Sequence, residues 1–333
     1  MRDLAAVVAK ADAEAAIASL TAEGVYDDSR KVVTHDEGHV ELPILAPPSE
    51  TAVFDVIRQT DPQRRTRTLE DVLAAEGWTE AELDSAPTSW AVVGSVVLVK
   101  LPDDCPRPKE VGEALLSLHG EAETVVSRGG ISGARREPTG TVIAGSGDTE
   151  TVHTEHGTKY AVDLSQVMFS PGNQAERVRM GEVVEPDERV FDMFAGIGYF
   201  TLPMARAGAH VTATEINPTS FKFLAENAQL NDVTDRVDAI LADCRDVEIS
   251  ADRVVMGYYE AHEYLDAALA ALEPGGVLHI HETTPETLLW DRPIDRLTAA
   301  AARADRAVEI LDRRKVKSHS EGVWHVVVDA KID

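Results

Sequence analysis

The sequence predicts an α/β protein: a parallel, doubly wound sheet over residues 166–333, preceded by a smaller α+β domain. Three observations carry that reading. From about residue 166, apolar runs of strand length alternate with helix-length segments, the rhythm of a parallel sheet whose faces are covered by crossover helices. The stretch "RVFDMFAGIGYFTLPMA", residues 189–205, switches from a strand period to a helix period across a Gly196-x-Gly198 turn. Three successive predicted strands each carry an acid at the carboxyl end: Asp192, Glu215 and Asp243.

In chain order, residues 1–87 read as a small α/β unit and a helical linker. A helix near 11–23 closes at Gly24, and the apolar strand VELPILAP follows. Polar helices are expected from about 49 to 86. In TLEDVLAAEG, Thr68 is the N-cap, Glu70 and Asp71 occupy the first turn, and Gly77 ends the helix. Residues 88–165 read as a largely antiparallel α+β domain with an accessory or RNA-binding role. WAVVGSVVLVKLP gives two strands about Gly94; a helix at 108–118, strands near 123–127 and 140–144, and the glycine-rich turn RGGISGARR complete it.

Over 166–333, strands are expected at 189–194, 210–216, 237–243, 251–257 and 275–283, with helices near 174–184, 199–207, 218–230, 260–272 and 293–305. Two closing strands, near 307–316 and 323–331, lie too close for a crossover and form a hairpin, so one of them runs antiparallel. The alternation specifies a Rossmann-like sheet.

Composition bounds the function. The 333 residues, 44% hydrophobic, suffice for two or three domains with real cores. No stretch approaches the roughly 20 apolar residues of a membrane span, and MRDLAAVVAKADAEAA does not read as a signal peptide; a cytoplasmic protein is expected. The two cysteines, Cys105 and Cys244, lack disulfide or zinc spacing. Asp+Glu 58 against Lys+Arg 32 gives a net charge of −26. These acids are scattered through periodic segments, not gathered in a tail, which fits a folded surface adapted to a very salty cytoplasm. Net charge is then a poor veto on a nucleic-acid partner, because counterion release drives little binding in molar salt.

A lone GxG is weak, and a dinucleotide site would place Gly or Ala where Thr201 stands. Three carboxylates would repel a pyrophosphate but suit S-adenosylmethionine, which brings an ammonium, a sulfonium and a ribose diol. A carboxylate near the turn, Asp192, reaches the amino acid moiety; Glu215 takes the diol; Asp243 takes the adenine amino group, with Cys244 beside it offering a backbone contact. Gly196 and Gly198 shape the turn. His279 and His281 share one strand face, but without a third ligand a packed or hydrogen-bonding role is expected and no metal.

The segments "VMFSPGNQAERVRM", "DMFAGIGYFTLP", "ATEINPTSFKFLAENAQLNDV", "DRVVMGYYEAHEYLDAAL" and "GGVLHIHE" resemble the archaeal family that modifies guanosine 37 of phenylalanine tRNA. That family holds the guanosine-37 N1-methyltransferases and the wyosine aminocarboxypropyl transferases, Taw2 in archaea and TYW2 in eukaryotes. The resemblance covers roughly 88–333. The methyltransferases usually show Ser-Pro-Arg and Asn-Leu-Pro where this chain has Ser170-Pro171-Gly172 and Met256-Gly257-Tyr258, which points to the aminocarboxypropyl branch.

The resemblance implies transfer of the aminocarboxypropyl group of S-adenosylmethionine to C7 of 4-demethylwyosine-37 in the anticodon loop of tRNA-Phe; a monomer is expected, and the acidic charge balance points to a halophilic archaeon. The resemblance also implies that Ser170 and Arg177 hold the transferred arm and that Glu176 is the candidate base. Gly172 and Gly257 are expected to leave room for a tricyclic base. Arg128, Arg135 and Arg136 are expected to grip phosphate. Three rivals remain: an N1-methyltransferase of the same fold, separable by product analysis; an RNA-binding protein with a vestigial pocket, separable by cofactor calorimetry; and a small-molecule methyltransferase, which leaves the first 165 residues without a role.

Overall fold

The computed structural model describes residues 3–333 except 64, 66 and 134, so Ala134 of the glycine-rich turn and the first two residues lie outside the described set. The chain divides into two compact units, Met1–Gly77 and Trp78–Asp333.

In the first unit, Leu4–Ala9 pairs antiparallel with His39–Ile44 on one side and Asp55–Arg58 on the other, and Val33–Thr34 extends the sheet beyond His39–Ile44. Helix Ala13–Ala22 lays Ala16 and Leu20 on a core of Ala6, Val8, Leu42 and Ile44. Asp55–Arg58 falls where helix is expected; it becomes strand because it satisfies the backbone groups along the open edge of Leu4–Ala9. Helix Leu69–Ala75 carries a reciprocal capping box between Thr68 and Asp71.

The second unit begins at Trp78, not at the expected residue 88. Trp78 is buried, donates from Nε1 to Glu110 Oε2 at 2.9 Å, and lies under the Arg107 guanidinium at 4.7 Å. Nor does the core break at 165. Val93, Val96, Leu98 and Val126 share one hydrophobic cluster with Tyr160, Phe169, Val190, Leu202 and Phe223. A four-stranded sheet runs Trp90–Val93, Val96–Val99, Thr124–Ser132, Glu137–Gly145, with its one parallel pair bridged by helix Pro108–Leu118. Strand Thr124–Ser132 takes in Arg128–Ser132, so the turn is shorter than RGGISGARR suggests. A hairpin absent from the sequence reading, Glu150–Glu155 with Thr158–Asp163, follows.

The large sheet holds β1 (Arg189–Asp192), β2 (His210–Glu215), β3 (Val237–Leu241), β4 (Ala251–Met256), β5 (Leu272–Pro285), β6 (Val308–Ser320) and β7 (Val323–Ile332), in the order β3-β2-β1-β4-β5-β7-β6. The pairs from β3 through β5 are parallel, and β7 is antiparallel to both β5 and β6. Helices α1 (Gln174–Val183), α2 (Thr201–Arg206), α3 (Pro218–Leu230), α4 (Leu265–Ala271) and α5 (Asp291–Arg303) accompany it. The direction of strand addition reverses between β1 and β4, and ligands of such sheets sit outside the strand carboxyl ends at that reversal.

Helix α3 docks the hairpin onto the large sheet by side-chain mimicry of strand pairing. Asn227 Oδ1 accepts from Ala161 N at 2.6 Å and its Nδ2 donates to Ala161 O at 3.1 Å; Asn231 does the same with Lys159 N and O at 2.9 and 2.7 Å. The geometry works because four helical residues rise about 6 Å and two strand residues about 6.6 Å. Asn227 is fully buried and also donates to Ile197 O. Asn227→Ala leaves these backbone groups without partners and is expected to lower stability by about 2–3 kcal/mol, read as a shifted urea midpoint at unchanged slope.

Candidate functional site

A cavity of about 480 Å³ opens at the reversal point of the large sheet. The chain leaving β1 supplies Met193 and Phe194, the glycine turn supplies Gly196 and Tyr199, the end of β2 supplies Glu215, and the chain leaving β4 supplies Gly257, Tyr258 and Tyr259. All described lining residues belong to the second compact unit.

Gly196 and Gly198 both have positive φ, +58° and +102°, which turns the chain sharply from β1 into α2. They face different ways. Gly196 lines the cavity and donates its N–H to Glu215 Oε2 at 2.8 Å. Gly198 faces the core, where a Cβ would lie 2.8 Å from Leu202 Cγ, so it shapes the turn without lining the cavity.

Glu215 also accepts from Asn217 N at 2.7 Å; burial pushes its carboxyl above the usual range, against the pull of these backbone donors. Each oxygen keeps a lone pair free. Asp243 lines the cavity too, with its carboxylate held below the usual range by Arg245, at 2.6 and 2.9 Å. Burial pushes the adjacent Cys244 thiol up to about 12, so it stays protonated.

Asp192 does not join them. It is fully buried beneath the turn, where it accepts from Thr201 Oγ1 at 2.7 Å and Phe194 N at 3.3 Å, and burial pushes it up to about 6. Thr201, which weakens the dinucleotide fingerprint, is thus the partner that makes a buried Asp192 tolerable. The crevice holds two of the three expected acids.

The arm-binding assignments need correction. Arg177, expected to fork onto the donor's carboxylate, forks onto Glu155, with Nε to Oε2 at 2.6 Å and Nη2 to Oε1 at 2.8 Å. Both residues are buried, and the guanidinium lies 5.1 Å from the Phe169 ring centre and 5.8 Å from that of Tyr199, outside the cavity lining. Glu176, the candidate base, is gripped by Arg314 through two bonds of 2.7 Å and also lies outside the lining. Adjacent positions on α1 point these side chains to opposite neighbours. Ser170 does line the cavity, where its hydroxyl accepts from Lys317 Nζ at 2.6 Å.

The two glycines also act otherwise than expected. A Cβ at Gly257 would lie 2.7 Å from Phe200 Cε2, so the missing side chain makes room for a core ring. A Cβ at Gly172 would lie 3.2 Å from Lys317 Cδ, so that space belongs to a lysine. His279 and His281 point to partners on β4 and β7. His279 Nε2 accepts from Arg253 at 2.6 Å and its Nδ1–H therefore faces Asp329, also at 2.6 Å; His281 Nδ1 meets His325 Nε2 at 3.0 Å. Among the described residues no group of three or more potential metal ligands converges.

Arg128, Arg135 and Arg136 do line the cavity, with Arg136 lying 5.6 Å over Tyr259. The sequence reading missed the aromatic wall, in which Phe194 lies 5.3 Å from Tyr258 and 5.0 Å, edge-to-face, from Tyr264. It missed Lys317 as well. The signal for the lysine is RRKVKSHS, a basic run in an acidic chain.

The Glu155–Arg177 pair gives a measurable consequence. Glu155→Ala strands a buried guanidinium and is expected to cost about 3–5 kcal/mol of stability in chemical denaturation; a purely donor-binding Arg177 predicts almost no change.

Comparison with known proteins adds the family. Residues 69–149 match the TYW2 N-terminal domain and residues 151–311 the TRM5/TYW2 methyltransferase domain. A tRNA(Phe) (4-demethylwyosine(37)-C(7)) aminocarboxypropyltransferase of Pyrococcus horikoshii is 42% identical over 251 residues, which span 74% of this chain and 90% of that one. The crystal structure of P. horikoshii TYW2 in complex with MeSAdo is similar at TM-score 0.69 and 38% identity, over 78% of this chain and 96% of that one. Wild-type Trm5b from Pyrococcus abyssi is similar at TM-score 0.76 and 29% identity over 99% of both chains. The chain belongs to the TRM5/TYW2 family of S-adenosylmethionine-dependent transferases.

Proposed function

We propose that this protein transfers the 3-amino-3-carboxypropyl group of S-adenosylmethionine to C7 of 4-demethylwyosine at position 37, in the anticodon loop of tRNA-Phe. The observation that carries the proposal is a cavity of donor-binding chemistry in a chain aligned with an aminocarboxypropyltransferase over 90% of that relative.

The residues present suit the donor. Glu215 has a free lone pair on each oxygen for a vicinal diol, with both oxygens fixed by backbone N–H groups. Phe194 and Tyr264 offer ring surfaces for a flat base, and Asp243 stands beside them as an acceptor for an amino group. When bound, S-adenosylmethionine would supply a sulfonium-activated methionine Cγ as the electrophile for the base's C7, with the Cγ–S electron pair leaving on sulfur as methylthioadenosine and the C7 proton passing to water.

The protein's own contribution is positional, because the electrophile arrives already activated and only in-line approach at about 3–3.5 Å is productive. Arg128, Arg135 and Arg136 put positive charge at the cavity beside aromatic rings, a combination that takes phosphate and unstacked bases. Glu176 cannot accept the C7 proton from its place against Arg314. A tRNA substrate is consistent with work in the cytoplasm.

The rival is methyl transfer to guanosine 37, as the likeness to Trm5b allows. Donor labelled separately on the methyl and on the carboxyl carbon separates the two, using tRNA bearing 4-demethylwyosine beside tRNA with unmodified guanosine 37. Carboxyl label in the RNA with release of methylthioadenosine is expected. Methyl label in the RNA with release of S-adenosylhomocysteine overturns the proposal.

The −26 charge belongs with this reading as a salt-adapted surface. Self-repulsion is strong where the Debye length is about 10 Å and weak where it is about 3 Å. Folding and turnover are therefore expected to require near-molar potassium or sodium chloride, checked by circular dichroism and turnover across a salt series. A cooperative, fully active protein in dilute buffer removes the halophile assignment.

A further inference from the structure

Lys317 is a cavity residue that the functional account leaves unused. It projects from β6, opposite His325 of β7, and reaches the cavity with its ammonium 2.6 Å from Ser170 Oγ. Its stem runs past Gly172, whose missing Cβ would sit 3.2 Å from Lys317 Cδ and 3.6 Å from Nζ. Any side chain at 172 would press on the lysine, so the glycine keeps its path open. Among the described residues no carboxylate lies within 4.0 Å of this ammonium, in a chain where acids outnumber bases 58 to 32. The neighbouring cation, Arg177, has its own counter-ion in Glu155. A half-buried ammonium with only a hydroxyl for company is an incomplete ion pair. Burial, with Arg177 and Arg128 adding to it, lowers its pKa to about 8, so it is still mainly charged at neutral pH.

We propose that Lys317, with Ser170, binds the carboxylate of the donor's aminocarboxypropyl arm, the position for which Arg177 is the sequence-based candidate. The inference rests on S-adenosylmethionine being the donor. Glu215 fixes the ribose and Lys317 fixes the far end of the arm, so the sulfonium is held from two sides and its Cγ has a set direction. The contact exists for the intact donor and not for methylthioadenosine, which lacks the arm. That difference separates a donor-binding lysine from a structural one.

Titration calorimetry with both ligands tests it. For Lys317→Met, affinity for S-adenosylmethionine is expected to fall at least tenfold while affinity for methylthioadenosine changes less than twofold; Lys317→Arg is expected to stay within about threefold for both. Methylthioadenosine binding doubles as the check that the site is folded, and Lys317→Gln is read in the same way if the methionine variant melts early. Equal losses for both ligands, or no loss for either, overturn the proposal. A wild-type protein that binds neither ligand overturns the donor assignment instead.

Discussion

The second unit depends on a buried chain of charges threaded through α1. Glu155 of the hairpin holds Arg177; Glu176, the preceding residue, holds Arg314 of β6; Arg314 and Arg179 share Asp329 of β7; Asp329 orients His279 of β5, which accepts from Arg253 of β4. One short helix is thereby tied to the hairpin on one side and, through this chain, to four strands of the large sheet on another. Each carboxylate in it meets at least one guanidinium, which is the condition under which buried charge is tolerated. Removal of Glu155 would leave the buried Arg177 without its carboxylate.

This network explains how charged residues that look catalytic in the sequence come to be structural. A fork of guanidinium onto carboxylate is chemically the same event whether the carboxylate belongs to a ligand or to Glu155. With Arg177 and Glu176 committed to the frame, the cavity is left with groups that are short of partners: the outer lone pairs of Glu215, the exposed arginines and the ammonium of Lys317. The division has mechanical sense. Charges that hold the frame are paired with one another, and charges that meet ligand are left incomplete.

The cavity is also a local reversal of the protein's field. The chain carries −26 overall, yet Arg128, Arg135, Arg136 and Lys317 line the site against Glu215 and Asp243. Long-range attraction for a polyanion is weak around such a protein, especially in salt. Recognition then has to come from close contact: rings that stack, a positive rim, and backbone donors at a fixed turn.

The sequence by itself determined the elements that rest on local pattern. The strands ending at Asp192 and Glu215, the glycine turn, helix α3 and the closing hairpin all follow from periodicity and from the conformations that only glycine adopts readily. Of the three acids expected at strand ends, Glu215 and Asp243 line the cavity and Asp192 does not, because a strand end places a side chain near the crevice without fixing which way it turns. Only the tertiary structure decided the rest. Asp192 turned inward because Thr201 met it there. Gly257 yields to Phe200, and Gly172 to a lysine 145 residues further along the chain by their numbering. Arg177 finds its partner 22 residues away and Glu176 finds its own 138 residues away. A residue type fixes what chemistry a side chain can do, but its role goes to whichever complementary group the fold brings within about 3 Å, and that separation is set by packing between segments distant in sequence.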